Sequence, residues 1–197
     1  MTHLYRTPLL IVLFLLCLGL RVLPALASEA GPHLHLVKGQ KLTGDFVLTH
    51  QMAGVETPMT SQGHFEIAPG EQIVWAVEKP MAMTATVRDG TLGMSIGQQQ
   101  LFSIAPKQMP LMAELESDLV LAMNGEWSKL DKAFIVKRTG NANGWESTLV
   151  PRDTPDAPKP FQKLVARGSH FVESADVYFR KNTDHVTFSN QKVSAAP

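Results

Sequence analysis

Seven histidines and eighteen acidic residues are the groups in this 197-residue chain whose types permit acid–base or metal chemistry. Their spacing gives them little to do. His33 and His35 stand two apart, so an extended strand would point both to one side as a pair of metal ligands. A zinc site needs three or four ligands, and no third stands nearby, so exposed polar residues are the expectation there. His50 and His64 fall on opposite faces of the strands derived below. Glu114 and Asp118 are one helical turn apart, and Asp153 and Asp156 three residues apart. The first pair lies on the solvated face of a helix and the second in a loop, where carboxylates stay hydrated and do not act as a coupled acid and base. There is no Gly-x-Ser-x-Gly elbow, no His-Glu-x-x-His, no phosphate loop and no dinucleotide fingerprint. No catalytic residue, metal or cofactor is expected from this inventory.

What remains is non-covalent chemistry, the burial of apolar groups. The residues spaced to do it are Phe46, Leu48, Phe65, Ile67, Trp75, Val77, Met83, Met94 and Ile96, with Leu111, Leu115 and Leu119 on a helix. Together they would line an apolar cavity able to hold an aliphatic guest.

The elements that must position them are strands between Leu42 and Ile96. Apolar residues alternate with polar ones with a period of two, so one face is buried and the other wet. The apolar set runs Leu42, Phe46, Leu48, Met52; Met59, Gly63, Phe65, Ile67; Ile73, Trp75, Val77; Met81, Met83, Ala85, Val87; and Leu92, Met94, Ile96. Asp89-Gly90 reads as a two-residue type I′ turn, which pairs Val87 with Leu92, Ala85 with Met94 and Met83 with Ile96. A turn at Glu78-Lys79-Pro80 sets Trp75 opposite Met83. A loop at Pro69-Gly70 sets Phe65 opposite Trp75, and the loop from Ala53 to Pro58 sets Phe46 opposite Phe65. These registers place Phe46, Phe65, Trp75, Met83 and Ile96 in one row of an antiparallel meander, and a slip by one residue would scramble the face.

Before the meander, Arg6 and His3 precede an apolar run from Leu9 to Leu20, followed by the small residues of Ala25-Leu26-Ala27. This pattern is a secretory signal peptide over residues 1–27, cleaved after Ala27. The run is shorter than the roughly 20 residues a bilayer span needs. Residues 28–197 then form one domain without cysteine, which excludes disulfides and thiolate chemistry. With sixteen basic and eighteen acidic residues, that domain lacks the basic surface nucleic acid requires. Leu34, Leu36 and Val37 suggest a short helix.

After Ile96 come Gly97, a Gln run at 98–100 and then Leu101, Phe102 and Ile104, which read as a sixth strand or a frayed continuation. Pro110 then opens a helix over 110–124, whose stripe of Leu111, Leu115, Leu119 and Met123 recurs every four residues. Residues 133–138 and 145–150 form a hairpin. Residues 161–167, 170–180 and 185–190 are three more strands, and Ala195-Ala196-Pro197 frays. Nine to eleven strands thus offer one apolar face and one good helix to cover it. An apolar face must be buried against something. Composition alone is satisfied by an ordinary core with Met as filler, whereas the imbalance suits a concave cavity roofed by the helix.

The pattern Leu42-x-Gly44-x-Phe46, Pro58-Met59-x-Ser61-x-Gly63-x-Phe65, Ile73-x-Trp75-x-x-x-x-Pro80 and Asp89-Gly90 resembles the periplasmic outer-membrane lipoprotein carrier LolA and its LolA-like relatives. Leu149-x-Pro151 and Val186-x-Phe188 are similar too. The resemblance covers residues 34–190. It implies a mainly β fold, an incomplete, half-open antiparallel barrel with one or two α-helices as a lid over an apolar concave face. It also implies a cavity for lipoprotein acyl chains or a related lipid, carried towards the outer membrane. The partners it implies are an inner-membrane lipoprotein-releasing transporter and an outer-membrane acceptor, with the carrier a soluble periplasmic monomer. The alternatives are a periplasmic lipid-sensing or interaction domain on the same fold, and a small enzyme holding an apolar substrate. One departure stands out. The resemblance implies a lid-locking arginine a few residues before Trp75, and no basic residue lies between Phe65 and Trp75. That marks a LolA-like paralogue.

The mature protein is expected to begin at Ser28. Intact mass of the exported product should lack residues 1–27, and a product retaining Leu9 to Leu20 would refute the reading.

Overall fold

The computed structural model describes residues 34–70, 72–105, 127–141, 143–153 and 161–196. Eleven strands and one short helix follow in order. They are β1 (Gln40–Met52), β2 (Met59–Ala68), β3 (Gln72–Lys79), β4 (Met83–Arg88), β5 (Thr91–Ile96), β6 (Gln99–Ile104), α1 (Trp127–Leu130), β7 (Phe134–Asn141), β8 (Gly144–Pro151), β9 (Lys163–Gly168), β10 (Val172–Tyr178) and β11 (Asn182–Ala195). All eleven strands lie in one sheet, ordered β6-β5-β4-β3-β2-β1-β11-β10-β9-β8-β7, and every neighbouring pair is antiparallel. The sheet is open, with β6 and β7 at its two edges. The expected mainly β, antiparallel architecture is present and is not closed into a barrel. The helix expected over 110–124, with Leu111, Leu115 and Leu119, lies outside the described residues. Among those residues the only helix is the single turn of α1.

The two halves are meanders joined at a central seam, where β1 pairs with β11 from Gln40↔Ala195 to Met52↔Asn182. A meander alone does not disclose this pairing, because its two strands stand at opposite ends of the chain. The seam also corrects the reading of the C-terminus. β11 does not stop at Asn190 but runs on to Ala195, and the Ala196 N–H donates to the Gly39 carbonyl at 2.8 Å. The strand is interrupted by a bulge. Thr43 pairs with Lys192 and Asp45 with Ser189, so Asn190 and Gln191 together oppose Gly44. Asn190 adopts a positive φ of 52°, tolerable for an asparagine, and its Nδ2 donates to Asp45 Oδ2 at 2.6 Å. The extra residue resets the alternation, so Phe188 and Val193 reach the same face although five positions apart.

The expected helix at Leu34, Leu36 and Val37 is not formed. That segment carries no regular element, and Leu34 and Leu36 are buried while His35 and Val37 are exposed. The spacing of three apolar residues in four positions fits either conformation, and burial of every second residue decides for the extended one.

Two expected registers shift by two residues. Phe46 pairs with Gly63 and Gly44 with Phe65, in place of Phe46 with Phe65. Trp75 pairs with Ala85 and Val77 with Met83, in place of Trp75 with Met83. A slip of two leaves each side chain on its own face, so the alternation could not detect either error. The pairs Phe65↔Trp75, Val87↔Leu92 and Ala85↔Met94 are as expected. At the β4–β5 turn Asp89 and Gly90 have φ of 51° and 71°, as a type I′ turn requires.

The core occupies one face. Leu42, Phe46, Phe65, Ile67 and Ile73 belong to one packed cluster with Trp145, Leu149, Ala166, Val172, Ala175 and Val186 from the other half, joined by Leu34, Leu36, Leu130 and Phe134. The opposite face carries two polar ladders. Across β1 to β4, Lys41 Nζ donates to Glu66 at 2.9 Å, Gln72 to Glu66 at 3.1 Å, and Arg88 to Gln72 at 2.6 Å. Across β8 to β11, Arg167 bridges Glu146 at 2.8 Å and Asp176 at 2.6 Å, and His185 Nδ1 meets Asp176 at 2.6 Å. The hydrogen bond from Lys41 holds the Glu66 carboxyl below its usual range, against the opposing effect of burial and with help from Gln72. Burial is the largest influence on Asp176 and pushes it up, but hydrogen bonds from Arg167 and His185 and their charges together bring it lower than usual.

Two predictions follow from these contacts. A Cβ on Gly63 would lie 1.8 Å from the Ala76 carbonyl oxygen, whereas one on Gly93 would meet nothing closer than Thr86 O at 3.8 Å. Gly63→Ala should therefore cost about 1–3 kcal/mol, as overpacking does, and Gly93→Ala should be close to neutral, read from urea midpoints. Glu66 and Asp176 are lowered from ordinary values of 4.5 and 3.8. The folded state then binds fewer protons than the unfolded chain around and below those values. The stability they add is present at neutral pH and is lost as pH falls through the folded values. The midpoint should drop on acidification below about pH 5, and less steeply in Glu66→Gln/Asp176→Asn.

Candidate functional site

The candidate site is the apolar face on the β1–β6 side of the seam, and its centre is built on two glycines. Cross-strand pairing sets Gly44 against Phe65 and Gly63 against Phe46, a checkerboard of the smallest residue with a large one. The Phe65 ring leans over Gly44. The Cε1 and Cζ atoms of Phe65 stand 2.8 Å and 2.9 Å from where a Gly44 Cβ would be. A side chain at Gly44 would push the Phe65 ring away, whereas one at Gly63 would run into the β3 backbone at Ala76. With that space free, Phe46 stacks on Trp75 with centroids 3.8 Å apart and planes 24° from parallel. Phe65 lies 6.3 Å from Trp75, and Phe188 meets Phe65 edge-on at 5.3 Å and Trp75 at 6.2 Å. Such aromatic pairs contribute about 0.5–1.5 kcal/mol each beyond simple burial.

The nine described members of the expected lining share this face but not its degree of burial. Phe46, Phe65 and Ile67 are fully buried core. Leu48, Trp75 and Val77 are half-buried and pack against that core. Met83 and Met94 are half-buried and are not members of the packed cluster, and Ile96 is exposed. One cross-strand row shows the gradient. It runs Phe65, Trp75, Ala85, Met94, Phe102, from 3% exposure at Phe65 to 40% at Phe102 on the edge strand. The face therefore passes from closed core at the seam to a partly open apolar strip over β4, β5 and β6. Leu111, Leu115 and Leu119 lie outside the described residues.

Some members of this face were not singled out by sequence reasoning. Phe188 completes the aromatic cluster, and its signal was the spacing Val186-x-Phe188, legible only once β11 is laid beside β1. His50 and Asp184 are polar yet share the inner face, since they pair with each other and Leu48 pairs with Val186. His50 and His64 are on opposite faces, as expected, because His64 pairs with Asp45.

The polar face holds an open groove of about 700 Å³ over β11, β1, β2 and β3, bordered by Asp45, His64, Glu66, Gln72, Asn190 and Lys192. Its border is charged, and Asp45 and Glu66 are already engaged with Asn190 and Lys41. It suits solvent better than an aliphatic chain. Among the described residues no group of three or more His, Cys, Asp or Glu is placed to hold a metal ion, and no helix is long and apolar enough to cross a membrane.

Residues 32–171 match the family model of the outer membrane lipoprotein carrier protein LolA-like. No curated protein matches the sequence. Among solved structures, a LolA superfamily protein from Nitrosomonas europaea aligns with a TM-score of 0.47 at 8% identity, covering 84% of this chain and 90% of that one. The complex structure of Pseudomonas aeruginosa MucA/MucB gives 0.45 at 12% identity, covering 81% of this chain and 54% of the matched chain, so this chain spans about half of that relative. A DUF1329 family protein from Desulfovibrio piger gives 0.31 at 9% identity, covering 79% and 86%. The family match takes in β1 to β9 and both glycine–phenylalanine pairs, and on it the chain belongs to the LolA-like family, whose members bind lipids or lipoproteins.

Proposed function

We propose that this protein is a periplasmic carrier that holds lipoprotein acyl chains, or a related lipid, on its apolar face and moves them towards the outer membrane. The observation that carries the reading is the gradient of burial. An ordinary core closes over all its apolar side chains, whereas here Met83, Met94 and Ile96 continue the core face into partial exposure. Methionine is unbranched and adaptable, which suits an aliphatic guest of variable shape. Burying acyl methylenes gives about 0.8 kcal/mol each, so ten of them supply about 8 kcal/mol, enough to hold a guest without any polar contact. The lining proposed is Phe46, Leu48, Phe65, Ile67, Trp75, Val77, Met83, Met94 and Ile96, with Leu111, Leu115 and Leu119, which lie outside the described residues. An inner-membrane lipoprotein-releasing transporter as donor and an outer-membrane acceptor would complete the route. The chemistry is binding alone, with no bond made or broken.

The inner and outer parts of the lining should respond differently to substitution. Phe46→Ala should cost about 3–5 kcal/mol of stability, as truncation of a buried aromatic does. Met83→Asp/Met94→Asp should leave the urea midpoint nearly unchanged while weakening an apolar fluorescent probe by about tenfold, equivalent to about 1.4 kcal/mol. Mass spectrometry of the purified protein should find co-purified lipid. Lipid delivered from the loaded protein to acceptor vesicles supports a carrier. Lipid retained without delivery would replace it with a lipid sensor. Absence of lipid together with unchanged probe binding in the double variant would reduce the face to ordinary core.

A further inference from the structure

A second chemistry lies at the end of the sheet where β1 hands over to β2. His50 pairs in register with Met59 on β2 and with Asp184 on β11, so three side chains stand in one row on the inner face. Met52, two residues further along β1, projects from that face as well and pairs with Asn182. Directly opposed residues place their Cβ atoms about 5 Å apart, and a same-face neighbour on one strand stands about 7 Å away. An imidazole and two long thioether arms at those separations can converge on one ion.

Three further observations bear on what that ion is. The Nδ1 atom of His50 is hydrogen-bonded to Asp184 Oδ1, with both side chains about one quarter exposed, at 27% and 24%. With Nδ1–H donating to the carboxylate, Nε2 keeps its lone pair and faces away from Asp184. A carboxylate behind an imidazole is the arrangement that orients histidine ligands and raises their basicity. The thioethers are accessible, since Met52 is 39% and Met59 57% exposed. The loop that joins their strands is also pinned next to Met52. Ala53 N–H donates to the Lys181 carbonyl at 2.8 Å and Val55 N–H to the Met52 carbonyl at 3.2 Å, and the Gln51 amide donates to the Val55 carbonyl.

We propose that His50, Met52 and Met59 form a binding site for a soft monovalent metal ion, Cu(I), with Asp184 as the residue that positions His50. Thioether sulfur selects Cu(I) over the harder divalent ions. Zinc would demand a fuller set of nitrogen, thiolate or carboxylate donors, which the row does not supply. The single negative charge of Asp184 balances the single positive charge of the ion.

The test is competition for Cu(I), kept reduced with ascorbate, between the purified protein and a chromogenic Cu(I) chelator. One equivalent should bind. His50→Ala and Met52→Leu/Met59→Leu should each weaken binding by about tenfold or more, and Asp184→Asn by about tenfold, the lower end of the loss seen when a supporting carboxylate is removed. Leucine preserves volume and apolarity, so the double variant should keep the wild-type urea midpoint and separates metal binding from folding. His35→Ala should bind as wild type does. X-ray absorption at the copper edge should show sulfur and nitrogen neighbours in the wild type, with the sulfur lost from the double variant. Absence of stoichiometric Cu(I) binding, wild-type affinity in the double leucine variant, or loss of binding in His35→Ala would each overturn the site. None of these outcomes depends on whether the protein carries lipid.

Discussion

The fold depends on one steric bargain, the placing of glycine directly across from phenylalanine on β1 and β2. Gly44 beneath Phe65 leaves room for that ring, and Gly63 opposite Phe46 lets the β3 backbone at Ala76 approach closely. Phe65 occupies the space over Gly44 and meets Phe188 on β11, while Phe46 stacks on Trp75 of β3. Two strands of local sequence thereby bind a third strand on one side and the far end of the chain on the other. A β-sheet normally weakens at an interior glycine. Here the lost side-chain contact is replaced by the Phe65 ring at Gly44 and by the close-lying β3 backbone at Gly63, and the weakness becomes the position where the core is knit.

The bulges extend the same logic. Strict alternation would force a residue onto the wrong face wherever the sequence departs from an even spacing. At Asn190–Gln191 on β11, an extra residue restores the face and keeps Phe188 and Val193 inward. A second bulge at Leu101 on β6 leaves Met94 opposite Phe102 while shifting Ser95 to Gln100. It sits on an edge strand without a single charged residue, where a local twist protects an unpaired ladder. The other edge, β7, carries Lys137 and Arg138 and protects itself by charge.

Much of this was legible from residue order. The alternation identified the strands and their buried faces because burial on one side leaves a period of two in the sequence. Asp89-Gly90 fixed its turn because few other pairs adopt two positive φ values. Other features were hidden for physical reasons. A shift of two residues keeps every side chain on its face, so alternation alone does not distinguish Phe65 from Gly63, the actual partner of Phe46. The second half of β11 was lost because its bulge breaks the alternation just where the sequence turns polar. Leu34, Leu36 and Val37 fit a helix turn as well as a strand, and only their burial tells them apart. Spacing groups the apolar face as one lining, whereas packing divides it into closed core near the seam and a partly open strip towards β6. That division depends on which neighbours cover each residue, and spacing along the chain does not encode it.

The β1–β11 seam has a consequence for how the molecule is assembled. Every other strand pair joins neighbours in sequence and can form from a short loop, but the seam joins Gln40 to Ala195. Closing so long a loop is entropically expensive, and non-local pairing of this kind slows folding. Until the last residues are available, each half would be a separate meander with a naked edge, and β1 would be the strand most open to pairing with a stranger. The chain's last fourteen-residue strand is therefore its clasp. Strand order makes completion of the sheet wait for β11, so the two meanders can form early but can be locked together only after β11 has been made.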